Sequence, residues 1–309
     1  MNAIRSSLLA VTGALALLAT PAIAHADGRA WAAVEKRLPN DVYVVLGTNL
    51  GAMRGSALFK SLPALVAEDR DATEVTKGVK KYCKKDIYAS IDDAVIALSN
   101  TPNSDDNGVI VVAFKGVDQA TFDGCMRKFA KGAEKVTITT AQLGEITEYT
   151  AVGETDKLYI AWLAKDVIAV ATDANDKAKL VRFLGGKGVS PALAAAIGKT
   201  NTAGVAWGAM AQDTPVGGMT IKTIVGALTF ARSKFALEAH VGLASAAEAT
   251  TFAAGAKQEL TGMMARVPKP MQALLSAINI TAIGAEAQIT TTIPDQKSSD
   301  LMKLFDKIF

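Results

Sequence analysis

The chain has 309 residues, half of them hydrophobic and only 6% aromatic, so it can bury an aliphatic, alanine-rich core without help from metals. A formal net charge of +3 is too weak for a dedicated nucleic-acid binder, although it permits a local basic patch. With two cysteines and two histidines, the chain carries no metal or cofactor constellation and implies no cofactor.

Residues 1–26 read as a cleaved export signal. Arg5 supplies the positive charge, Leu8 to Ala19 the apolar stretch, and Pro21-Ala22-Ile23-Ala24-His25-Ala26 the small residues of two cleavage sites. An apolar run of about a dozen residues is too short to cross a bilayer core of roughly 30 Å as a helix. The alternative is an uncleaved anchor at the membrane interface. No later stretch reaches about 18 uninterrupted apolar residues, so no transmembrane segment is expected in the mature chain. No cysteine stands at the signal boundary, which argues against a lipid anchor. The expected location is periplasmic or secreted.

Asp41 to Asn49 is a β-branched strand. Leu58, Leu62, Leu65 and Val66 mark a short helix, with Pro63 expected near its first turn or at a kink. Asp93 to Leu98 and Val109 to Phe114 are apolar strands flanking a polar hairpin spacer, Pro102 to Gly108. Asp118 is placed to cap the next helix. Val136 to Thr140, Glu145 to Ala151, Leu158 to Leu163 and Val167 to Thr172 suggest an antiparallel meander, after which Asp173 is placed to cap a helix ending at Gly185-Gly186.

Gly204 to Met210, Ile221 to Ala231 and Lys234 to Ala244 read as strands. The third alternates, with Phe235, Leu237, Ala239, Val241 and Leu243 on one face and Glu238 and His240 on the other. A long alanine-rich helix starts at Ser245 and is broken by Pro268 and Pro270. Ile283 to Ile293 reads as one further strand, and Asp295 starts a terminal helix carrying Leu301, Leu304, Phe305 and Ile308.

The class is therefore α+β, antiparallel sheets backed by helices. Residues 27–187 form a first half, 188–202 a connection and 203–309 a second half. The strand–Asp–helix step from Asp173 to Phe183 recurs from Asp295 to Phe305, which suggests two tandem repeats of one α+β unit.

Leu38-Pro39-Asn40-Asp41-Val42-Tyr43-Val44-Val45, followed by Asn49-Leu50 and Leu58-Phe59-Lys60-Ser61-Leu62, resembles the opening of uncharacterised exported bacterial proteins. Those begin their mature part with a Leu-Pro-x-Asp step into a strand and then a helix. The likeness spans some thirty residues and implies an exported α+β protein, with no activity or site attached.

Cys83 lies on an apolar helical stripe with Val75, Val79 and Tyr82, and Cys125 on one with Phe122, Met126 and Phe129. An isolated pair in an oxidising compartment reads as a disulfide, and closing a loop of about forty residues removes roughly 4 kcal/mol of unfolded-state entropy. Two reduced, buried thiols are the alternative. Lys77, Lys80, Lys81, Lys84 and Lys85 recur at i, i+3, i+4, i+7 and i+8, opposite the Cys83 stripe, although Gly78 weakens the helix. The disulfide would bring Arg127, Lys128 and Lys131 alongside. Together they are a candidate surface for an anionic envelope component: lipid headgroups, a polysaccharide or an acidic protein. The ordinary alternative is a solvated helix face neutralised by Asp71, Glu74 and Asp86.

Other motifs lack a necessary part. Gly198-Lys199-Thr200 has Leu193 where a phosphate-binding loop needs glycine. Gly186-Lys187-Gly188 has Pro191 in place of a third glycine. Asn103 to Gly108 opens like a calcium loop, but Phe114 stands where the bidentate Glu is required. His240, the histidine certain to remain after processing, has Glu238 beside it and reads as a solvated pair. Asp92-Asp93 and Asp105-Asp106 read as solubilising charges.

These features point away from an enzyme and towards an exported binding or scaffold protein of the bacterial envelope. A periplasmic carrier of an apolar or lipid-like ligand is the second reading, from Met263, Met264, Met271, Leu274 and Leu275 around Pro268. Plain helix–sheet core accounts for the same residues. A hydrolase built on two converging carboxylates is the third.

Overall fold

The computed structural model describes residues 28–66, 70–99 and 107–297. Residues 1–26, read from sequence as an export signal, the spacer residues 102–106 and the apolar positions Leu301 to Ile308 lie outside them. The chain divides into two compact units. Among the described residues the first takes 28–51 and 62–190, and the second 52–61 and 191–297.

In the first unit seven antiparallel strands follow the order β1-β2-β3-β7-β6-β5-β4. They are β1 (Val42–Thr48), β2 (Ile91–Ser99), β3 (Gly108–Phe114), β4 (Ile138–Leu143), β5 (Ile146–Ala151), β6 (Lys157–Ala164) and β7 (Val167–Ala171). The adjacent inner strands β3 and β7 are continuous apolar runs. Val109 to Ala113 and all of β7 are buried, and Val111 pairs with Val95 on one side and Ala169 on the other. An unbroken apolar run is what a strand covered on both faces requires.

The helix Arg29–Val34 packs on β2 and β3 and buries Ala30, Trp31 and Val34. Gly28, at its N-cap, has no side chain to satisfy the first N–H groups. Asp93 of β2 does so instead, its Oδ1 accepting from the Ala30 N–H at 2.6 Å. Leu38 is fully buried, and a Cβ on Gly186 would lie 2.3 Å from its carbonyl carbon. Gly186 is thus more than a helix stop: it lets the Leu38-Pro39 backbone pass. Asp41 pairs with Arg182, which also donates to Asn107 Oδ1 at 3.2 Å.

The cap of the helix Lys177–Leu184 differs from expectation. Asp176, not Asp173, accepts from the Lys179 N–H, at 2.8 Å. The chain stays bonded to β6 as far as Ala174, whose carbonyl accepts from the Tyr159 N–H at 3.0 Å, so the helix starts later. Asp118 caps the helix Gln119–Phe129 as expected, accepting from the Thr121 N–H at 2.9 Å.

In the second unit five antiparallel strands follow the order β8-β9-β10-β12-β11. They are β8 (Ala206–Val216), β9 (Met219–Ala231), β10 (Lys234–Leu243), β11 (Asn279–Ile283) and β12 (Glu286–Pro294). The helix Ala246–Met264, capped by Ser245, lies on this sheet over Ile221, Val241, Ile280 and Ala287. The single strand expected from Ile283 is a hairpin, because Gly284 takes φ +59° and turns the chain between β11 and β12. The stretch read as a connection contains the helix Pro191–Ile197, which packs on β8 and β9. Proline at its first position and an alanine-rich sequence favour that helix. The helix Ala57–Val66 continues through Pro63, and the Asp295 carboxylate accepts from its Ala57 N–H at 2.9 Å.

The two units share part of their strand order. Three strands pair in sequence, β1-β2-β3 and β8-β9-β10, and the last strand returns to the third, β7 to β3 and β12 to β10, but helices separate β1 from β2, so the expected tandem repeat is not shown. The likeness is one of strand order, with two strands fewer in the second unit.

Burial pushes the Asp93 carboxyl up to about 6 from 3.8, against the opposing pull of the Ala30 N–H and Arg29. The folded state therefore holds this proton more tightly than the unfolded chain, and stability falls as pH rises through about 6, by up to about 3 kcal/mol. Urea unfolding should give a higher midpoint near pH 5 than near pH 7, and Asp93→Asn, which keeps an oxygen for Ala30, should flatten that difference.

Candidate functional site

Two helical segments of the first unit form the candidate surface. Arg70–Gly78 is α-helical, widens into a π turn over Val79–Cys83, and ends at Lys84 with φ 56°. Gln119–Phe129 is α-helical, widens over Ala130–Glu134, and ends at Lys135 with φ 57°. Both segments thus finish in the same way, with a widened turn and a left-handed lysine.

The second segment is seated on the sheet by aromatic contacts. Phe122 lies 5.8 Å from Trp162 and 6.1 Å from Tyr149, both edge-on. The Tyr149 hydroxyl donates to Asp123 at 2.5 Å, and burial together with that carboxylate raises its pKa.

The first segment is held to the second by the Cys83–Cys125 disulfide, with the two Cα atoms 4.9 Å apart. Around it each segment places a ring on a glycine of the other. A Cβ on Gly78 would lie 2.2 Å from Phe129 Cε2, and one on Gly132 would lie 2.2 Å from Tyr82 Cε1. The Tyr82 hydroxyl donates to the Gly132 carbonyl at 2.8 Å, and the Tyr82 and Phe129 rings meet edge-on at 6.2 Å. Sequence reasoning took Gly78 as a weakness in a helix. The structure shows it as the place where Phe129 enters.

The five lysines do not form the regular α-helical stripe that their spacing suggests. The π turn replaces the α-helical period after Gly78, and Lys84 and Lys85 lie beyond the helix end. All five are nonetheless exposed, as are Arg127, Lys128 and Lys131, and the structure adds an exposed Lys135. Lys81 Nζ stands 4.8 Å from the Tyr82 ring centre. Across residues 77–85 and 125–135 there are nine cationic side chains and one carboxylate, Glu134.

Other candidates resolve into structural contacts. Asp92 and Asp166 converge, but on Arg29: its guanidinium bonds Asp92 at 3.1 Å, Asp166 and the Phe114 carbonyl. Asp93 is 5% exposed and spent on the helix N-terminus, which denies a substrate access to it. On the second sheet His240 sits between Glu238 at 3.1 Å and Glu286 at 3.4 Å. Lys199 also pairs with Glu286, at 2.6 Å, and is the main cause of that carboxyl's lowered pKa. Glu286 and Lys199 were not foreseen, since strand pairing and a distant turn bring them in. Among the described residues no hydroxyl or thiol is bonded to His240 that it could activate. Thr200 donates to the Gly226 carbonyl at 2.8 Å, so Gly198-Lys199-Thr200 tethers a turn to β9. Met263 and Met264 pack around Leu275 with Leu260, Val267 and Ile278. Among the described residues no group of three or more His, Cys, Asp or Glu is placed to hold a metal, and no helix is long and apolar enough to cross a membrane.

No protein family profile and no curated protein matches the chain. Among solved structures, TP0453 in its crystal form I is similar over 88% of this chain and 97% of its own, at 12% identity and a TM-score of 0.47. Crystal form III of TP0453 is similar over 87% and 96%, at 11% identity and a TM-score of 0.48. Likeness at that level carries no argument about what this chain does.

Alanine is ordinarily better than glycine inside a helix by about 1 kcal/mol. At Gly78 the Phe129 ring should reverse the sign, so Gly78→Ala should destabilise by about 1–3 kcal/mol in chemical unfolding. Adding Phe129→Leu should recover much of that loss, whereas it should not rescue Gly132→Ala, which meets Tyr82 instead. Replacing both cysteines with serine should lower stability by at most about 4 kcal/mol.

Proposed function

We propose that this is an exported, non-enzymatic binding or scaffold protein of the bacterial envelope, and that the disulfide-tied pair of helical segments is its binding surface for an anionic envelope component. The observation that carries the reading is the segregation of charge. The two segments with their flanks, residues 70–86 and 119–135, together carry a formal +5, against +3 for the whole chain, so everything else sums to −2. Concentrated on one locked pair of segments, such a charge produces a local attraction that a spread-out +3 would not. The disulfide suits an oxidising compartment, in keeping with the export signal read at the amino terminus.

Processed protein mixed with isolated envelope fractions should sediment with them at low salt and be released at about 1 M salt, where screening acts within roughly 3 Å. A Lys77→Glu, Lys80→Glu, Lys81→Glu variant should stay in the supernatant. This choice leaves Lys84, with its positive φ, in place. Equal sedimentation of variant and wild type would remove the basic surface from the reading.

A further inference from the structure

Resting on that reading, we infer that the partner of the basic surface is a layer of anionic phospholipid headgroups rather than a polysaccharide or an acidic protein. Three properties of the surface select it. First, the nine cations are exposed, and among the described residues none forms an ion pair with a carboxylate. Eight of the nine are lysines, compact charges on long flexible stems, which suit a diffuse, laterally mobile counter-charge better than a fixed bidentate acceptor.

Second, among the described residues the surface has no fully exposed large apolar side chain. The exposed large hydrophobic side chains described are Leu46, Leu143, Val152, Val181, Val216, Ile224 and Ile283, and none belongs to either segment. A stable protein interface needs a desolvated core of apolar or aromatic anchors within its polar rim. A headgroup layer asks only for charge.

Third, the aromatic rings that a sugar chain would stack on are already used. Tyr82 and Phe129 lie against each other and against Gly132 and Gly78. The polar tip of Tyr82 is bonded to the Gly132 carbonyl. Among the described side chains of residues 77–85 and 125–135, the exposed ones are lysine and arginine.

The test is co-sedimentation of the processed, disulfide-bonded protein with two kinds of vesicle, one of phosphatidylcholine alone and one an equimolar mixture with phosphatidylglycerol. At low salt the protein should bind the mixed vesicles and not the neutral ones. Reversing the charge of Lys77, Lys80 and Lys81 should weaken that binding at least about a hundredfold, the loss of each basic residue near an anionic surface being worth about a fivefold factor. A second variant, Arg127→Glu, Lys128→Glu, Lys131→Glu, should lose as much, since it reverses three of the four cations of the other segment. Both variants must keep the near-ultraviolet circular dichroism and the oxidised cysteines of the wild type. Retention by envelope fractions without binding to the mixed vesicles overturns the lipid assignment and leaves the anionic-partner reading standing. Retention by neither overturns both. Undiminished binding by either folded variant also overturns the lipid assignment, because charge on that segment would then not be what the vesicle recognises.

Discussion

Cys83 and Cys125 belong to helical segments separated by two strands, and the bond between them fixes how closely those segments approach. The approach is close enough that two glycines are needed to admit two rings. Each ring is in turn trapped by the neighbouring segment, so covalent and steric constraints act in the same place. Without the bond, the segments would carry roughly half the basic charge each and would have to bring like charges together through the Tyr82 and Phe129 contacts alone. Repulsion among nine cations opposes that assembly, and the disulfide offsets it by closing the loop in the unfolded chain as well. The surface is thus a product of the cross-link rather than of helix propensity.

The same constraint explains what the sequence made legible. Cys83 and Cys125 could be paired because both sit on apolar stripes, and a stripe is a local property. The lysine stripe was read from the same periodicity and misjudged, since a π turn shifts the period without leaving a mark in residue type. The two glycines were opaque for a related reason: their value lies in Phe129 and Tyr82, some fifty residues away along the chain. Asp118 could be recognised as a cap because it precedes its helix directly. Asp93 could not, because it caps the helix Arg29–Val34 from a strand far along the chain. The α+β class and antiparallel pairing followed from the strand patterns, and one misread hairpin turned on a single glycine with positive φ, Gly284.

The carboxylates of the first unit illustrate how a feature can look catalytic and be architectural. Asp92, Asp93 and Asp166 gather around one arginine, and one of them is buried with its proton held unusually tightly. Such perturbation is the usual mark of acid–base chemistry. Here each carboxylate has a partner in the fold: Arg29 for two of them, the amide of Ala30 for the third. The Leu38-Pro39-Asn40-Asp41 step is built in the same spirit, with its leucine in the core, its backbone against Gly186 and its aspartate on Arg182.

The return of the last strand to the third has a kinetic consequence. A chain that emerges amino end first presents β3 before β7 exists, and β10 before β12. Until then one long edge of β3 has unsatisfied amides along a run of valines and isoleucine, the kind of template on which foreign strands add. The intervening segment must be traversed before the native partner can close it, and such non-local closure is slow. Each unit therefore passes through an interval of sticky incompleteness, and whatever shields β3 during that interval sets the yield of the finished molecule.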